Sequence, residues 1–497
     1  MKGGSGRPGN PLFATLSVDR LRAESERPHG LKRNLTATDL VMLGIGAIIG
    51  TGIFVLTGHA AAANAGPAVV LSFVVAGIAS GFAGLCYAEM ASMIPVSGSA
   101  YTYSYATMGE LVAWIIGWDL ILEYLVGAAT VSVGWSGYVV SFLRDVLGIA
   151  LPSRWTGPPF RFDDVHGHFV STGAILNVPA IFITLLATVI LVVGIKESAR
   201  FNSVIVAIKV MVVLLFLVFA AKFIKPANWH PFIPENQGPG KFGFSGIMRG
   251  ASVVFFAYIG FDAVSTTAQE AKNPRRDLPI GILGSLAICT VLYILVSLVL
   301  TGVVPYQQLS VPHPMGLGAA ATGLRWLEAA VELGAIAGLS SVMVVMLMGQ
   351  PRVFFSMAQD GLFPAFATKI HPRFGTPYVT TILAGAFCAA CGALFDIGVL
   401  GHLVSIGTLF AFALVSMGVL ILRRTRPDIP RGFTVPGGPY LVPLCGVATS
   451  LYIIYESGWA TQLRLIIWMA IGLVIYAAYG RRHSKLRAET AAARRSQ

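Results

Sequence analysis

Leu43-Gly44-Ile45-Gly46-Ala47-Ile48-Ile49-Gly50-Thr51-Gly52-Ile53-Phe54 lies inside an apolar run from about Leu40 to about Ala63. The run is long enough to cross a bilayer as a helix. Four glycines crowd its middle, and each costs about 1 kcal/mol of helix propensity relative to alanine. Unpaired peptide groups are expensive in hydrocarbon, so a break in a membrane helix is tolerable where the freed groups face a polar ligand or a wet cavity. Small residues also serve close helix packing. An interrupted span near the midplane is nevertheless the best sequence pointer to a transporter's binding site. The spacing Gly44-x-Gly46 with Gly50 loosely matches a dinucleotide-binding loop. That loop needs a preceding strand and an acidic residue about 20 positions on, and the flanks here are apolar and membrane-like.

Working outward, the 497 residues are 55% hydrophobic and 12% charged, against roughly 25% charged in a soluble domain. A polytopic membrane protein follows. The net charge of +12 reads as basic cytoplasmic loops, not as nucleic-acid binding. The first 36 residues are polar and lack the apolar core of a cleavable signal. The five cysteines, Cys86, Cys289, Cys388, Cys391 and Cys445, all sit in apolar segments. Cys388 and Cys391 share a helix face by spacing alone. His166 and His168 fall in a polar loop beside Asp163 and Asp164. No metal or cofactor site is expected.

Hydropathy divides the chain into a tail at 1–36, five spans over 37–225, five more over 240–425, two spans over 438–480 and a basic tail at 481–497. Thr36 or Thr38 is the expected cap of helix 1. Glu89 is expected near the surface at the end of helix 2, and Lys272–Pro279 as a cytoplasmic loop without chemistry of its own. Twelve spans put both termini on one side, and the excess of Lys and Arg in the segments on that side makes it the cytoplasmic face of a cell membrane. Helix 6 is interrupted at Ala257 and Gly260, as helix 1 is at Gly50 and Gly52. Each break opens a set of five spans. An odd number of spans inverts the second set relative to the first, the inverted-repeat plan of many secondary transporters.

The motifs Gly46-Ala47-Ile48-Ile49-Gly50-Thr51-Gly52-Ile53-Phe54, Pro95-Val96-Ser97-Gly98-Ser99-Ala100-Tyr101, Phe256-Ala257-Tyr258-Ile259-Gly260-Phe261-Asp262 and Asn273-Pro274-Arg275-Arg276-Asp277-Leu278-Pro279 stand in order along the chain. Together they resemble the amino acid–polyamine–organocation superfamily, in its cationic amino acid transporter branch with bacterial amino acid permeases. The resemblance covers about residues 30–480. It implies an all-α fold of twelve transmembrane helices: a leucine-transporter-like 5+5 inverted repeat with broken helices 1 and 6, plus two extra helices.

A free amino acid brings a carboxylate and an ammonium. The second half of helix 1 starts with unpaired amides and the positive end of its dipole. The amides of Thr51, Gly52 and Ile53, with the Thr51 hydroxyl, are suited to the carboxylate, and Gly50 and Gly52 permit close approach. Carbonyls of Ile48, Phe256, Ala257 and Ile259 are suited to the ammonium, with Gly260 completing the helix 6 side. The resemblance implies the same division and makes Phe256 a lid over the substrate. Met343 and Met346 are weaker candidates for the side-chain pocket. Lys209 falls about midway along helix 5, where a charge costs roughly 2.5–3.5 kcal/mol on insertion scales. The resemblance implies a proton-coupling role, because a helix 5 lysine replaces sodium in proton-coupled relatives. Glu123 is a second proton-coupling candidate, with Asp119 one turn earlier on the same face. The expected function is uptake of a cationic or small neutral amino acid driven by protons, within membrane lipid. The alternatives are an amino acid/amine exchanger and a membrane amino acid sensor. An intramembrane enzyme would need a nucleophile–base or metal pair, and His59 and His402 are isolated.

Overall fold

The computed structural model describes residues 14–17, 34–94, 99–163, 168–194, 199–268 and 270–489. Pro95–Gly98 of the second motif, Asp164 and His166, most of the N-terminal tail and residues 490–497 lie outside these residues. Eight helical stretches within them are long and apolar enough to cross a membrane, and four shorter apolar helices stand beside them. They expose many large apolar side chains, among them Phe182, Val189, Met211, Val218 and Val474. A soluble monomer does not display continuous apolar faces of that kind, whereas a multi-pass membrane protein does.

Helix 1 starts at Ala37–Ile48 under a capping box. Thr36 accepts from the Asp39 amide, and the Asp39 carboxylate accepts from the Thr36 amide at 2.9 Å. After the break it resumes through Gly52–Leu56, Thr57–Ala60 and Ala61–Ala65. Gly66 (φ +61°) and Pro67 turn the chain into helix 2, Val69–Met93. Helix 3 is Glu110–Ile121 and Gly127–Ser141, joined by the widened π turn Leu122–Val126. Helices 4 and 5 are Val178–Val193 and Ala199–Ala220. Helix 6 is Gly243–Val254 and Phe255–Tyr258, then Ala263–Thr266 after its break. Helices 7 to 10 are Pro274–Val303, Arg325–Gln359, Tyr378–Leu394 and Ile397–Thr425, and helices 11 and 12 are Leu441–Glu456 and Trp459–Ile475.

Helix 7 lies along helix 2 and the first half of helix 1. Helix 8 packs on the second half of helix 3, and helix 9 on helix 4. Between helices 2 and 3 the chain forms a further helix, Ser99–Thr107. The long loop after helix 3 holds an antiparallel hairpin, β1 (Phe160–Asp163) with β2 (His168–Ser171), pairing Phe162 with Phe169.

Two expectations are corrected. Lys272–Pro279 is not a loop: Pro274 takes the first helical position, where a missing amide is harmless, so helix 7 begins there and Pro279 sits in its second turn. Glu89 is not near the surface but fully buried. Arg423 and Arg431 pair with its carboxylate and the Val435 amide donates to it at 2.9 Å. An ionised carboxylate survives burial only with such partners. Glu110 is held in the same way by Arg487, Ser484 and Tyr476, which ties the start of helix 3 to the segment after helix 12.

Candidate substrate site

The two interrupted helices meet backbone to backbone. Regular bonding in helix 1 stops at Ile49, whose ψ of 100° is extended. The Phe54 amide donates to the Gly50 carbonyl at 3.2 Å to start the second half. In helix 6 the chain turns extended at Ile259 and passes through Gly260 at φ +113°, a conformation that L side chains rarely adopt. A Cβ on Gly52 would run into the backbone of Ala257. A Cβ on Gly260 would sit 2.9 Å from the Ala47 carbonyl oxygen. These two glycines are therefore the points at which the breaks touch.

The freed carbonyls of the first half of helix 1 are met by donors from other helices. The Lys209 ammonium, fully buried, donates to Gly46 O at 2.9 Å and to Ile49 O at 3.4 Å. Its aliphatic stem runs past Gly338 of helix 8, where a Cβ would lie 3.2 Å from Lys209 Cγ. The Tyr293 hydroxyl of helix 7 stands 2.8 Å from Ile48 O and 2.8 Å from Ala257 O. It has one proton and serves one carbonyl at a time. Two of the four carbonyls suggested for the ammonium thus share one tyrosine. Phe256 O accepts from the Ile259 amide at 3.2 Å. Tyr138 of helix 3 donates to Phe54 O at 2.6 Å.

The second half of helix 1 is different. Thr51 is fully buried, and among the described residues its Oγ1 has no hydrogen-bond partner. Beside it stand the amides of Thr51, Gly52 and Ile53, which belong to the first turn that a helix leaves unpaired. Around them the walls are apolar. A Cβ on Gly134 of helix 3 would lie 3.2 Å from Thr51 Cγ2 and 3.1 Å from Val55 Cγ2. A Cβ on Gly50 would lie 3.1 Å from Val342, and one on Gly127 would lie 3.2 Å from the Met346 sulfur. Ile53, Met343 and Phe256 are buried in the same core.

Glu123 stands on the π turn of helix 3 and faces Asp262 of helix 6 and Thr408 of helix 10. Asp119 faces the same side, with Oδ1 3.0 Å from a Cβ built on Gly407. Sequence reasoning missed Tyr293, Tyr138 and Gly134. The available signal was a lone tyrosine inside Val291-Leu292-Tyr293-Ile294-Leu295: a buried phenol in an apolar helix needs a partner.

Gly52→Ala is expected to abolish uptake while the protein still reaches the membrane, because the methyl meets the Ala257 backbone and not a flexible side chain. Transport assays alongside surface quantification check this. Tyr293→Phe leaves a buried carbonyl short of a donor. It is expected to lower stability by about 1–3 kcal/mol, read as a drop in thermal midpoint, and to slow uptake.

Residues 35–477 match the family described as "Amino acid permease". The chain is 49% identical to the branched-chain amino acid permease BcaP of Bacillus subtilis (strain 168), over 96% of this chain and 99% of that protein. It is 44% identical to the methylthioribose transporter of the same organism, over 96% and 99%. It is 38% identical to the vacuolar cationic amino acid transporter 4 of Arabidopsis thaliana, over 84% of this chain and 68% of that one. With a multi-pass helical body and a family match over most of its length, the chain belongs to the amino acid permease family of membrane transporters.

Proposed function

We propose that this protein carries a neutral, apolar amino acid across the cell membrane together with a proton, by alternating access. The observation that carries the reading is the buried, unpartnered Thr51 hydroxyl at the head of the second half of helix 1. A buried polar group without a partner is uncommon. This one stands where a helix dipole favours an anion. A substrate carboxylate accepts from Thr51 Oγ1 and from the amides of Thr51, Gly52 and Ile53. The ammonium goes to Ile259 and Phe256 carbonyls and competes with Tyr293 for those of Ile48 and Ala257. Phe256 covers it.

The eight long and four shorter apolar helices are read as twelve spans with both termini cytoplasmic. Support for a 5+5 inverted repeat comes from pairing: helix 1 meets 6 at the breaks, 2 packs on 7, 3 on 8 and 4 on 9. Four of the five elements of the first set touch their counterparts, in keeping with a two-fold axis in the membrane plane between the repeats.

The side-chain class follows from the walls. Val55, Val342 and Met346 supply apolar surface opposite glycines at 50, 127 and 134, while the buried carboxylates of Glu123 and Asp119 are turned toward helices 6 and 10. A cationic side chain would lie against apolar walls without a counter-ion, which is costly. The similarity to a branched-chain permease agrees with this choice. A thermal-shift panel of the twenty amino acids, several amines and methylthioribose on purified protein tests it. Binding stabilises by mass action, about 2.7 kcal/mol at 100 times the dissociation constant. Leucine, isoleucine and valine are expected to raise the midpoint. Shifts by lysine and arginine alone overturn the side-chain assignment.

Proton coupling is assigned to Lys209. Its ammonium holds the end of the first half of helix 1 through Gly46 and Ile49 carbonyls, so a change in its proton count alters the grip on that segment. Lys209→Ala in proteoliposomes is expected to lose accumulation driven by an inward proton gradient. Full accumulation by the variant overturns the coupling role.

A further inference from the structure

The segment expected to be a featureless loop instead forms one wall of a surface groove of about 380 Å³. The groove runs between the start of helix 7 and the connection from helix 10 to helix 11. Arg275 and Arg276 stand at its mouth, both exposed. Ile280, Leu283 and Gly284 continue along helix 7, and Phe433 closes the opposite side. Positions 276, 280, 283 and 284 share one helix face, so the wall passes from charged to apolar over about 12 Å of helix rise. The connection is pressed against this turn: a Cβ on Gly432 would lie 2.7 Å from the Arg275 carbonyl oxygen. Ile280 is 40% exposed, on a helix long and apolar enough to span the membrane.

Among the described residues, neither guanidinium has a carboxylate partner. The nearest acids in sequence and space are already engaged. Asp277 accepts from the Asn273 amide at 3.1 Å within its own helix start. Glu89, on the far side of the same connection, is saturated by Arg423, Arg431 and the Val435 amide. Two unpaired, adjacent guanidinium groups favour a phosphate, which each can bind through two N–H donors. The apolar remainder of the groove asks for hydrocarbon next to that phosphate. Basic pockets between membrane helices at the interface are suited to phospholipid headgroups.

We infer that the groove between helix 7 and the helix 10–11 connection binds an anionic phospholipid of the adjoining leaflet, its phosphate on Arg275 and Arg276 and an acyl chain along Ile280, Leu283 and Phe433. A zwitterionic lipid brings its headgroup ammonium up to two guanidinium groups that repel it, and a soluble anion leaves the apolar wall uncovered. The site bears on the transport machinery through helix 7 itself. Gly281 and Gly284 of the same helix pack on Leu40 and Val41 of helix 1, and Tyr293 further along it meets both breaks.

The full-length protein is purified in a neutral detergent. Native mass spectrometry and thermal shift are recorded with phosphatidylglycerol, with phosphatidylcholine of the same acyl chains, with glycerol phosphate and with inorganic phosphate. The native chain is expected to retain phosphatidylglycerol at least tenfold more strongly than phosphatidylcholine, with no shift from the soluble phosphates. The double variant Arg275→Gln/Arg276→Gln is expected to lose that preference, and Arg275→Lys/Arg276→Lys to keep most of it. Leu283→Trp, which fills the groove and leaves both arginines, is expected to lose it as well. Equal retention of phosphatidylglycerol by the native chain and the glutamine variant overturns the inference. So does stabilisation by glycerol phosphate or inorganic phosphate that matches the lipid's. These readouts require no transport, so they stand or fall apart from the substrate and proton assignments.

Discussion

Peptide groups that leave a helix inside hydrocarbon need new partners, and this constraint arranges the centre of the molecule. At the break in helix 1 the carbonyls of Gly46, Ile48 and Ile49 are no longer held by their own helix. Lys209 and Tyr293 take them, from helices 5 and 7. Tyr138 of helix 3 takes the Phe54 carbonyl just beyond. Three helices thus converge on helix 1 because each supplies a donor that the lipid cannot. The second break is held against the first by direct contact, Gly52 on Ala257 and Gly260 on Ala47.

That arrangement explains what was legible in the sequence. A glycine in a membrane helix marks either close packing or a break. Gly50, Gly52 and Gly260 can be read because they cluster in two spans at equivalent positions. Lys209 is legible because a charge in mid-span is costly and needs a reason. The partners were not legible. The lone phenol of Tyr293 in an apolar helix shows locally that it needs a partner, but that partner, Ile48, lies 245 residues away. Glu89 looked superficial because its counter-ions come from 334 and 342 residues away. In Lys272–Pro279, two prolines five residues apart look like a loop. Pro274 fits the first helical position, however, and Pro279 falls early enough to cost little.

The buried acids separate two kinds of polar burial. Glu89 and Glu110 are surrounded by arginines, hydroxyls and amides that connect helix ends to the segments after helices 10 and 12. Their role is to close the end of the bundle, and truncating a partner there strands a charge. Among the described residues, no arginine pairs with Glu123 or Asp119. They sit where helix 3 widens into a π turn, beside the Asp262 end of the helix 6 break. Widened turns of this kind are frequent at functional sites. The second acid pair is thus placed to respond to rearrangement of helix 6, which the first pair is not.

The two halves of helix 1 present opposite dipole ends at the break. The carbonyl end is already occupied by Lys209 and Tyr293, while the amide end carries an unpaired threonine hydroxyl. For the zwitterion proposed above, the asymmetry makes the two ends unequal. Its carboxylate would meet unpaired donors and displace nothing. Its ammonium would have to share carbonyls that already have a donor, which is feasible because each carbonyl oxygen has two lone pairs and because Tyr293 can satisfy only one of its two acceptors at a time. Were the ammonium to take one of them, the tyrosine would turn fully to the other. In that reading substrate binding would redistribute the hydrogen bond that links helix 1 to helix 6, and the shared tyrosine would couple the ligand to the helices that enclose it.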